Sequence, residues 1–377
     1  MQVIPTLKNG GVEIEALEIA KAIVEAGGRA LIAAKPGSLV EDAIKAGIEI
    51  KDLPLDTKNP LQIAKNTRLL NELILKEKVD IVHVRSRAPG WSAYKAARAL
   101  GIPFVTTYHA AYKSRSVFKM FYNSVMARGD RVIAISQFIQ DHLIQKYRKY
   151  GWFDPAKIRL IQRGIDLDIF DPSTISKERL DRLRKSWGVS PSMRILLLPG
   201  RISRTKGQDL LINALSLMKH TNVMAVCIGS TQGHEAFRDN LLHYTTSLGL
   251  ADRVKLLPPS PDMPSAYQLA DVIVCPSLVP EGFGRVMAEA QAMKKPIVAS
   301  NHGAAPEVIE DRITGWLFPP GNAQALAQAL DKVLDLPQDR LKKLGEKQRT
   351  RVKLLFSNES MFAKTIAVYQ ELLEMKK

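Results

Sequence analysis

Two carboxylates and a run of glycines make the most chemically specific string in this 377-residue chain, Pro280-Glu281-Gly282-Phe283-Gly284-Arg285-Val286-Met287-Ala288-Glu289-Ala290. Glycines at 282 and 284 expose backbone N–H groups at a helix start. Glu281 is expected in the loop and Glu289 on the helix behind it, so that one acid reaches sugar hydroxyls while the other holds a ribose. A second string, Gly200-Arg201-Ile202-Ser203-Arg204-Thr205-Lys206-Gly207-Gln208, follows an apolar run. Arginine binds phosphate oxygens in pairs and lysine supplies a point charge. Arg201 and Lys206 are therefore suited to a departing diphosphate. The spacing is not that of a P-loop. A third string, Asn9-Gly10-Gly11, offers free amides at a strand-to-helix turn, where an anion can approach the backbone. It is not the Gly-x-Gly-x-x-Gly dinucleotide fingerprint.

These strings need elements to position them, and the chain supplies two series. Short apolar runs at Val3–Pro5, Ala30–Ala34, Glu49–Leu53, Ile81–Val84, Phe104–Thr107, Val132–Ile135 and Ile158–Ile161 alternate with helical patterns such as Val12–Ala26 and Leu61–Glu77. The alternation resumes with Ile195–Pro199, Val223–Ile228, Val254–Leu257, Val272–Cys275 and Ile297–Ala299. Near-continuous apolar strands separated by helices predict parallel sheets covered on both faces. The expected fold class is α/β, with two Rossmann-like parallel-sheet domains facing each other across a cleft. Ligands in such sheets bind at the carboxyl ends of the strands. The expected division is residues 1–170, residues 171–355, and a helix over 356–377 that packs back toward the first domain. The acidic stretch Ile165–Ser173 is the expected linker.

Composition narrows the classes. Hydrophobic residues make up 46% and charged residues 24%, which is ordinary for globular proteins. No apolar run approaches the roughly 18–20 residues of a membrane span. The opening residues lack a signal-peptide pattern, so a cytoplasmic protein is expected. Cys227 and Cys275 sit inside apolar runs and read as buried thiols. The net charge is +16, and it is concentrated: residues 85–163 hold fifteen Lys or Arg against three Asp and no Glu. A field of that sign attracts polyanions, whether nucleic acid, an acidic membrane or phosphorylated substrates. No nucleic-acid-binding signature accompanies it, so no nucleic-acid partner is expected. The segment Tyr112–Arg128 mixes Lys113, Arg115 and Lys119 with Phe118 and Phe121, a pattern suited to an anionic lipid surface.

The 281–289 string resembles the Glu-x7-Glu motif of the family 4 retaining glycosyltransferases, which have the fold called GT-B and use nucleotide-diphosphate sugars. The resemblance extends to the Gly-Gly-Val-Glu opening, Tyr108-His109, the Arg201/Lys206 pair and the stretch from Gly303 to Pro306-Glu307. From Arg85-Ser86-Arg87-Ala88-Pro89 to His109 it is most similar to bacterial members that build lipopolysaccharide and other surface glycans. The resemblance implies that Gly10, Gly11, Arg201 and Lys206 border the donor diphosphate. It implies that Glu281 and the backbone of Gly282, Phe283 and Gly284 hold the donor hexose, and that Glu289 holds the ribose. Leu256, Leu257 and Pro258 would meet the base, UDP or GDP being the expected carrier. His109 would hydrogen-bond the donor sugar near the anomeric carbon, as a positioner rather than a nucleophile.

Retention of anomeric configuration is implied, with a glycan or lipid-linked acceptor. No cofactor and no metal is expected, because no Asp-x-Asp pair stands where the resemblance would place one. Ala110 after His109, and Ala304-Ala305, depart from the common pattern, and the opening is shorter than usual. The competing readings are a nucleotide-sugar epimerase on the same fold and a basic nucleic-acid-binding protein. Peripheral attachment to the inner face of the cytoplasmic membrane is expected from the basic aromatic segment.

Overall fold

In a computed structural model of the chain, which describes residues 1–8, 10–112 and 116–375, the protein divides into two compact units. Unit 1 comprises Met1–Gln162 and Glu359–Lys377, and unit 2 comprises Arg163–Asn358.

Unit 1 runs β1 (Gln2–Thr6), α1 (Gly11–Glu25), β2 (Leu31–Lys35), α2 (Val40–Lys45), β3 (Glu49–Asp52), α3 (Pro60–Lys76) and β4 (Val82–Val84). It continues through α4 (Arg87–Ala99), β5 (Phe104–Tyr108), α5 (Val117–Ser124), β6 (Arg131–Ala134), α6 (Gln137–Tyr147) and β7 (Ile158–Leu160). Its seven strands are all parallel, in the order β3-β2-β1-β4-β5-β6-β7.

Unit 2 holds α7 (Lys177–Ser186), β8 (Arg194–Pro199), α8 (Gln208–Leu217), β9 (Val223–Ile228), α9 (Glu235–Ser247), β10 (Val254–Leu257) and α10 (Met263–Leu269). It ends with β11 (Val272–Cys275), α11 (Arg285–Ala292), β12 (Ile297–Ser300), α12 (Ala305–Val308), β13 (Trp316–Phe318), α13 (Ala323–Leu334) and α14 (Gln338–Leu355). Its six strands are parallel in the order β10-β9-β8-β11-β12-β13. The short strand β13 was not among the expected runs. Only three residues long and two of them half-buried, it lacks the apolar length that marks its neighbours.

Both orders reverse direction once, between β1 and β4 and between β8 and β11. At such a switch point the two flanking connections diverge and leave a crevice at the carboxyl ends of the strands. The strings at 10–11 and 85–87 follow β1 and β4, and those at 200–208 and 276–284 follow β8 and β11. Both cysteines are free and buried, on β9 and β11.

The boundaries differ from the expected ones. The first crossing falls between Gln162 and Arg163, ahead of residue 170. Ile165 already bridges to Ser357, its amide donates to the Phe356 carbonyl, and the Asn358 amide donates back to the Ile165 carbonyl. These bonds tie the acidic stretch into unit 2 instead of leaving it as a free linker. The terminal helix α15 (Asn358–Glu374) belongs to unit 1 from Glu359 onward. Its Met361, Val368, Tyr369 and Leu372 pack with Ile19, Val105, Ile133 and Ile161 in one buried cluster. Glu371 fastens the same helix through ion pairs to Arg131 (2.5 Å) and Arg159 (2.6 Å). No helix among the described residues is long and apolar enough to cross a membrane.

Candidate functional site

In unit 2 the loop after β8 and the loop after β11 are locked together. Gly207 has φ +75°, and a Cβ there would stand 2.1 Å from the Pro276 carbonyl oxygen. Only glycine lets the loop ending in Lys206 lie against the end of β11. The Leu278 amide donates to the Thr205 carbonyl at 2.9 Å, closing the same contact. Lys206 Nζ then donates to Glu281 Oε1 at 2.6 Å, and Ser277 Oγ donates to the same oxygen at 2.5 Å. The loop is held from a third side as well. A Cβ on Gly303, at φ +61°, would lie 2.6 Å from the Glu281 carbonyl oxygen, which instead accepts from the Ala304 amide. His302 Nε2 meets the Ser277 carbonyl at 2.8 Å.

Burial works against the charge on Glu281, but the Lys206 ammonium and the bonds from Lys206 and Ser277 overcome it, so its carboxyl sits below the usual range. The same burial works against Lys206, and Glu281 overcomes it in turn. Both groups are therefore charged at neutral pH, with one lone-pair-bearing oxygen of Glu281, Oε2, left for a ligand hydroxyl. Arg201 is exposed beside them and has no side-chain partner among the described residues.

Gly284 caps α11 without a side-chain bond. Glu281 lies in the loop ahead of it and Glu289 on the helix, as the sequence implies. Both oxygens of Glu289 are engaged: Oε2 accepts from the Tyr267 hydroxyl at 2.7 Å and Oε1 from Arg285 Nε at 3.1 Å. Phe283 is buried, edge-on to Phe356 at 5.5 Å, so only its backbone is free to meet a ligand. Leu256 and Leu257 are half-buried and Pro258 exposed, at the carboxyl end of β10. They stand on the sheet edge, two strands from β8.

In unit 1, Gly10 is the N-cap of α1, in extended conformation with no side-chain cap, and Gly11 is exposed. The first turn of α1 carries one acid, Glu13, whose carboxylate lies beside Gly10. His109 follows β5 and keeps 9% of its side-chain surface. Its Nδ1 lies 4.0 Å from Glu15 Oε2. Glu15 is a buried carboxylate on the apolar face of α1, beside Ala16, Ile19 and Ala20. The Arg85 guanidinium donates to its Oε1.

The chain of buried polar groups continues. Arg85 Nε donates to Gln2 Oε1 (3.0 Å), Gln2 Nε2 donates to the Tyr369 hydroxyl (3.0 Å), and His83 joins Tyr369 (2.5 Å) to Thr107 (2.7 Å). Burial, with Arg85 and His109 nearby, holds His83 well below its ordinary pKa, so it is neutral. Glu15, Ser277, Tyr267 and His302 were not singled out by the sequence reading. Glu15 carried a signal nonetheless: a charged residue at a core-facing position of a helix must have a partner.

On the outer surface of unit 1, α5 covers only Val117–Ser124, a shorter helix than the 112–128 segment suggests. Lys113 and Arg115 lie outside the described residues. Phe118 is 89% exposed, Val117 and Lys119 are exposed, and Phe121 is exposed while stacking on Trp91 at 4.6 Å.

Residues 181–351 match the family model described as glycosyl transferases group 1, and residues 9–169 match that of glycosyltransferase family 4. A solved glycosyltransferase from Rickettsia africae is 35% identical, with a TM-score of 0.90 over 99% of this chain and 98% of that one. Anabaena Alr3699/HepE, solved in complex with UDP and glucose, is 23% identical, with a TM-score of 0.84 over 98% of each chain. Among curated relatives, the D-inositol 3-phosphate glycosyltransferase of Mycolicibacterium gilvum is 28% identical over 87% of this chain and 74% of its own length. Two all-parallel Rossmann-like sheets, with the charged and glycine-rich loops at their switch points and these relatives, place the chain in the family 4 glycosyltransferases, with the GT-B fold.

Proposed function

We propose that the protein transfers a hexose, with retention of configuration, from a UDP- or GDP-linked sugar to a glycan or lipid-linked acceptor of the bacterial envelope. The observation that carries this reading is the Lys206–Glu281–Ser277 cluster, with Arg201 open beside it. In glycosyl transfer, negative charge builds on the leaving diphosphate while the sugar becomes oxocarbenium-like. Fixed cations aimed at the growing charge stabilise the transition state more than the ground state. Lys206 is held ionised by Glu281 and keeps a quarter of its surface, so it can bridge the carboxylate and an incoming phosphate. Arg201 adds a forked donor. Glu281 Oε2 accepts from a hexose hydroxyl, and Glu289, fixed by Tyr267 and Arg285, accepts from the ribose.

His109 orients the sugar near its anomeric carbon, and the amides at Gly10 and Gly11 meet the phosphates. In this reading the leaving phosphate takes the acceptor proton, no protein base is needed, and no metal takes part. Exposed Phe118, Val117 and Lys119 support reversible seating on an anionic membrane, and the resemblance of residues 85–109 supports the envelope acceptor. The test is a donor screen by calorimetry with UDP, GDP and ADP, followed by NMR of the product anomer with the matching sugar donor. Tight binding of one nucleotide, an α-linked product from an α-linked donor, and turnover unchanged by EDTA are expected. An inverted product removes the retaining mechanism. Free sugar or its epimer formed at full rate without acceptor turns the reading toward an epimerase.

A further inference from the structure

Arg87, Tyr112 and Lys146 form a cationic cluster that the donor chemistry does not use. Arg87 is the first residue of α4, directly after β4, and its guanidinium lies 4.1 Å from the centre of the Tyr112 ring. Its Nη1 also donates to Asn123 Oδ1 at 2.8 Å. Lys146, on α6, donates from Nζ to the Tyr112 carbonyl. Two cations from two helices thus grip one residue, in the loop that also carries His109. Both side chains are half-buried. Burial lowers the Lys146 pKa, and the Arg87 charge lowers it further.

Among the described residues neither cation has a carboxylate partner. The first turn of α4 holds no acidic residue, Ser86 does not cap it, and its third residue is Pro89, so its leading amides also lack a side-chain acceptor. The tyrosines that feel Arg87, namely 108, 112, 122 and 147, are all pushed upward in pKa by burial and stay neutral. They are hydroxyl donors, not counter-ions. Two like charges drawn together and partly out of water cost free energy unless an anion joins them.

Arg87 and Tyr112 follow the carboxyl ends of β4 and β5, where ligands of α/β sheets bind, and Lys146 reaches Tyr112 from the last turn of α6. The donors differ in kind: a guanidinium fork and an ammonium that meet at Tyr112, and the uncapped N-terminus of the helix that carries Arg87. That arrangement suits a tetrahedral oxyanion better than a flat carboxylate. The donor diphosphate already has Arg201 and Lys206. We infer that Arg87 and Lys146 bind a phosphate group carried by the acceptor, so that the acceptor is a phosphorylated sugar or a phosphate-bearing lipid headgroup. The word acceptor rests on the glycosyltransferase reading; the anion site rests on unit 1 alone.

The experiment uses the full chain. UDP binding is measured first by calorimetry, and its absence would count against the glycosyltransferase reading while leaving the phosphate measurement readable. With UDP saturating, inorganic phosphate is titrated and the rise in melting temperature followed. Wild type should respond, and Lys146→Gln and Arg87→Gln should each weaken the phosphate response about tenfold or more, the effect of one lost charged hydrogen bond. Lys146→Arg should restore it, and UDP affinity should stay unchanged in Lys146→Gln. Two further arms separate the sources: D-inositol 3-phosphate against inositol in solution, and phosphatidic acid vesicles against phosphatidylcholine vesicles. A preference for the phosphorylated ligand that Lys146→Gln loses supports the site and names its source. Equal phosphate responses from wild type and Lys146→Gln overturn it.

Discussion

Lys206 and Glu281 keep 25% and 22% of their side-chain surface, whereas Arg85 and Glu15 keep 2% and 5%. Each pair stands at the switch point of a parallel sheet, and each joins a basic to an acidic side chain from different elements. The pair in unit 2 is open enough to trade partners with a ligand. Its cation can approach a phosphate without first breaking the fold. The pair in unit 1 is sealed, and from Arg85 a chain of hydrogen bonds runs inward through Gln2, Tyr369 and His83. A sealed pair holds backbone and neighbouring side chains in place, while a partly open one is available for chemistry. The same charge chemistry is therefore sealed into the scaffold in one unit and left within reach of a ligand in the other, and solvent access makes the difference.

The largest effect should come from breaking the sealed pair. Glu15→Ala leaves Arg85 charged, buried and unpaired, which costs about 3–5 kcal/mol. Urea unfolding should show that loss. A cost below about 1 kcal/mol would mean that Arg85 finds water or another acceptor, and the contrast with unit 2 would weaken.

Lys206→Ala should act in the opposite sense, with little effect on folding and a large one on binding. Losing a charged hydrogen bond to the diphosphate costs about 1.5–3 kcal/mol, or roughly 10- to 150-fold in UDP affinity by calorimetry. Unchanged UDP affinity would remove Lys206 from the phosphate site.

The two glutamates of unit 2 sharpen the comparison further. Glu289→Gln should weaken free UDP, because its proposed partner, the ribose, loses a charged acceptor. Glu281→Gln should lower turnover and leave free UDP affinity nearly intact, because its proposed partner is the transferred sugar. Nucleotide affinity that follows Glu281 instead would exchange the two roles.

The smallest effect lies at α15. The bonds from Arg131 and Arg159 bring Glu371 down to about 2 from 4.5. A carboxylate with a depressed folded pKa adds stability above its unfolded value and loses it as pH falls toward the folded one. Wild type should therefore be more stable than Glu371→Gln above about pH 4.5, and the gap should close between there and pH 2. A gap that stays constant across that range would mean that the helix is held by its apolar face alone.

How far these features were legible follows from the range of the interactions. Strands such as Val223–Ile228 announced themselves because a strand buried on both faces must be apolar throughout, and that is a local property. The parallel architecture followed, since each strand is separated from the next by a helix-length crossover. The loop position of Glu281 and the helical position of Glu289 were also readable, because glycines at 282 and 284 mark the turn between them. Strand β13 was too short to stand out. The boundary at Gln162 was not readable, since it depends on bonds between Ile165 and residues 356–358, nearly two hundred positions away.

By itself the sequence determined which chemical groups stand at the strand ends, and that they are cations, carboxylates and glycines with the patterning of a two-sheet α/β chain. Only the tertiary structure decided their pairing. Lys206 meets Glu281 because Gly207 lets its loop lie on Pro276, and Glu15 meets Arg85 because β1 and β4 are neighbours in the sheet. Whether a charge is spent on a neighbour or left for a ligand depends on burial and on contacts across dozens of residues. A sequence lists the charges, and folding sets the distances and the water between them.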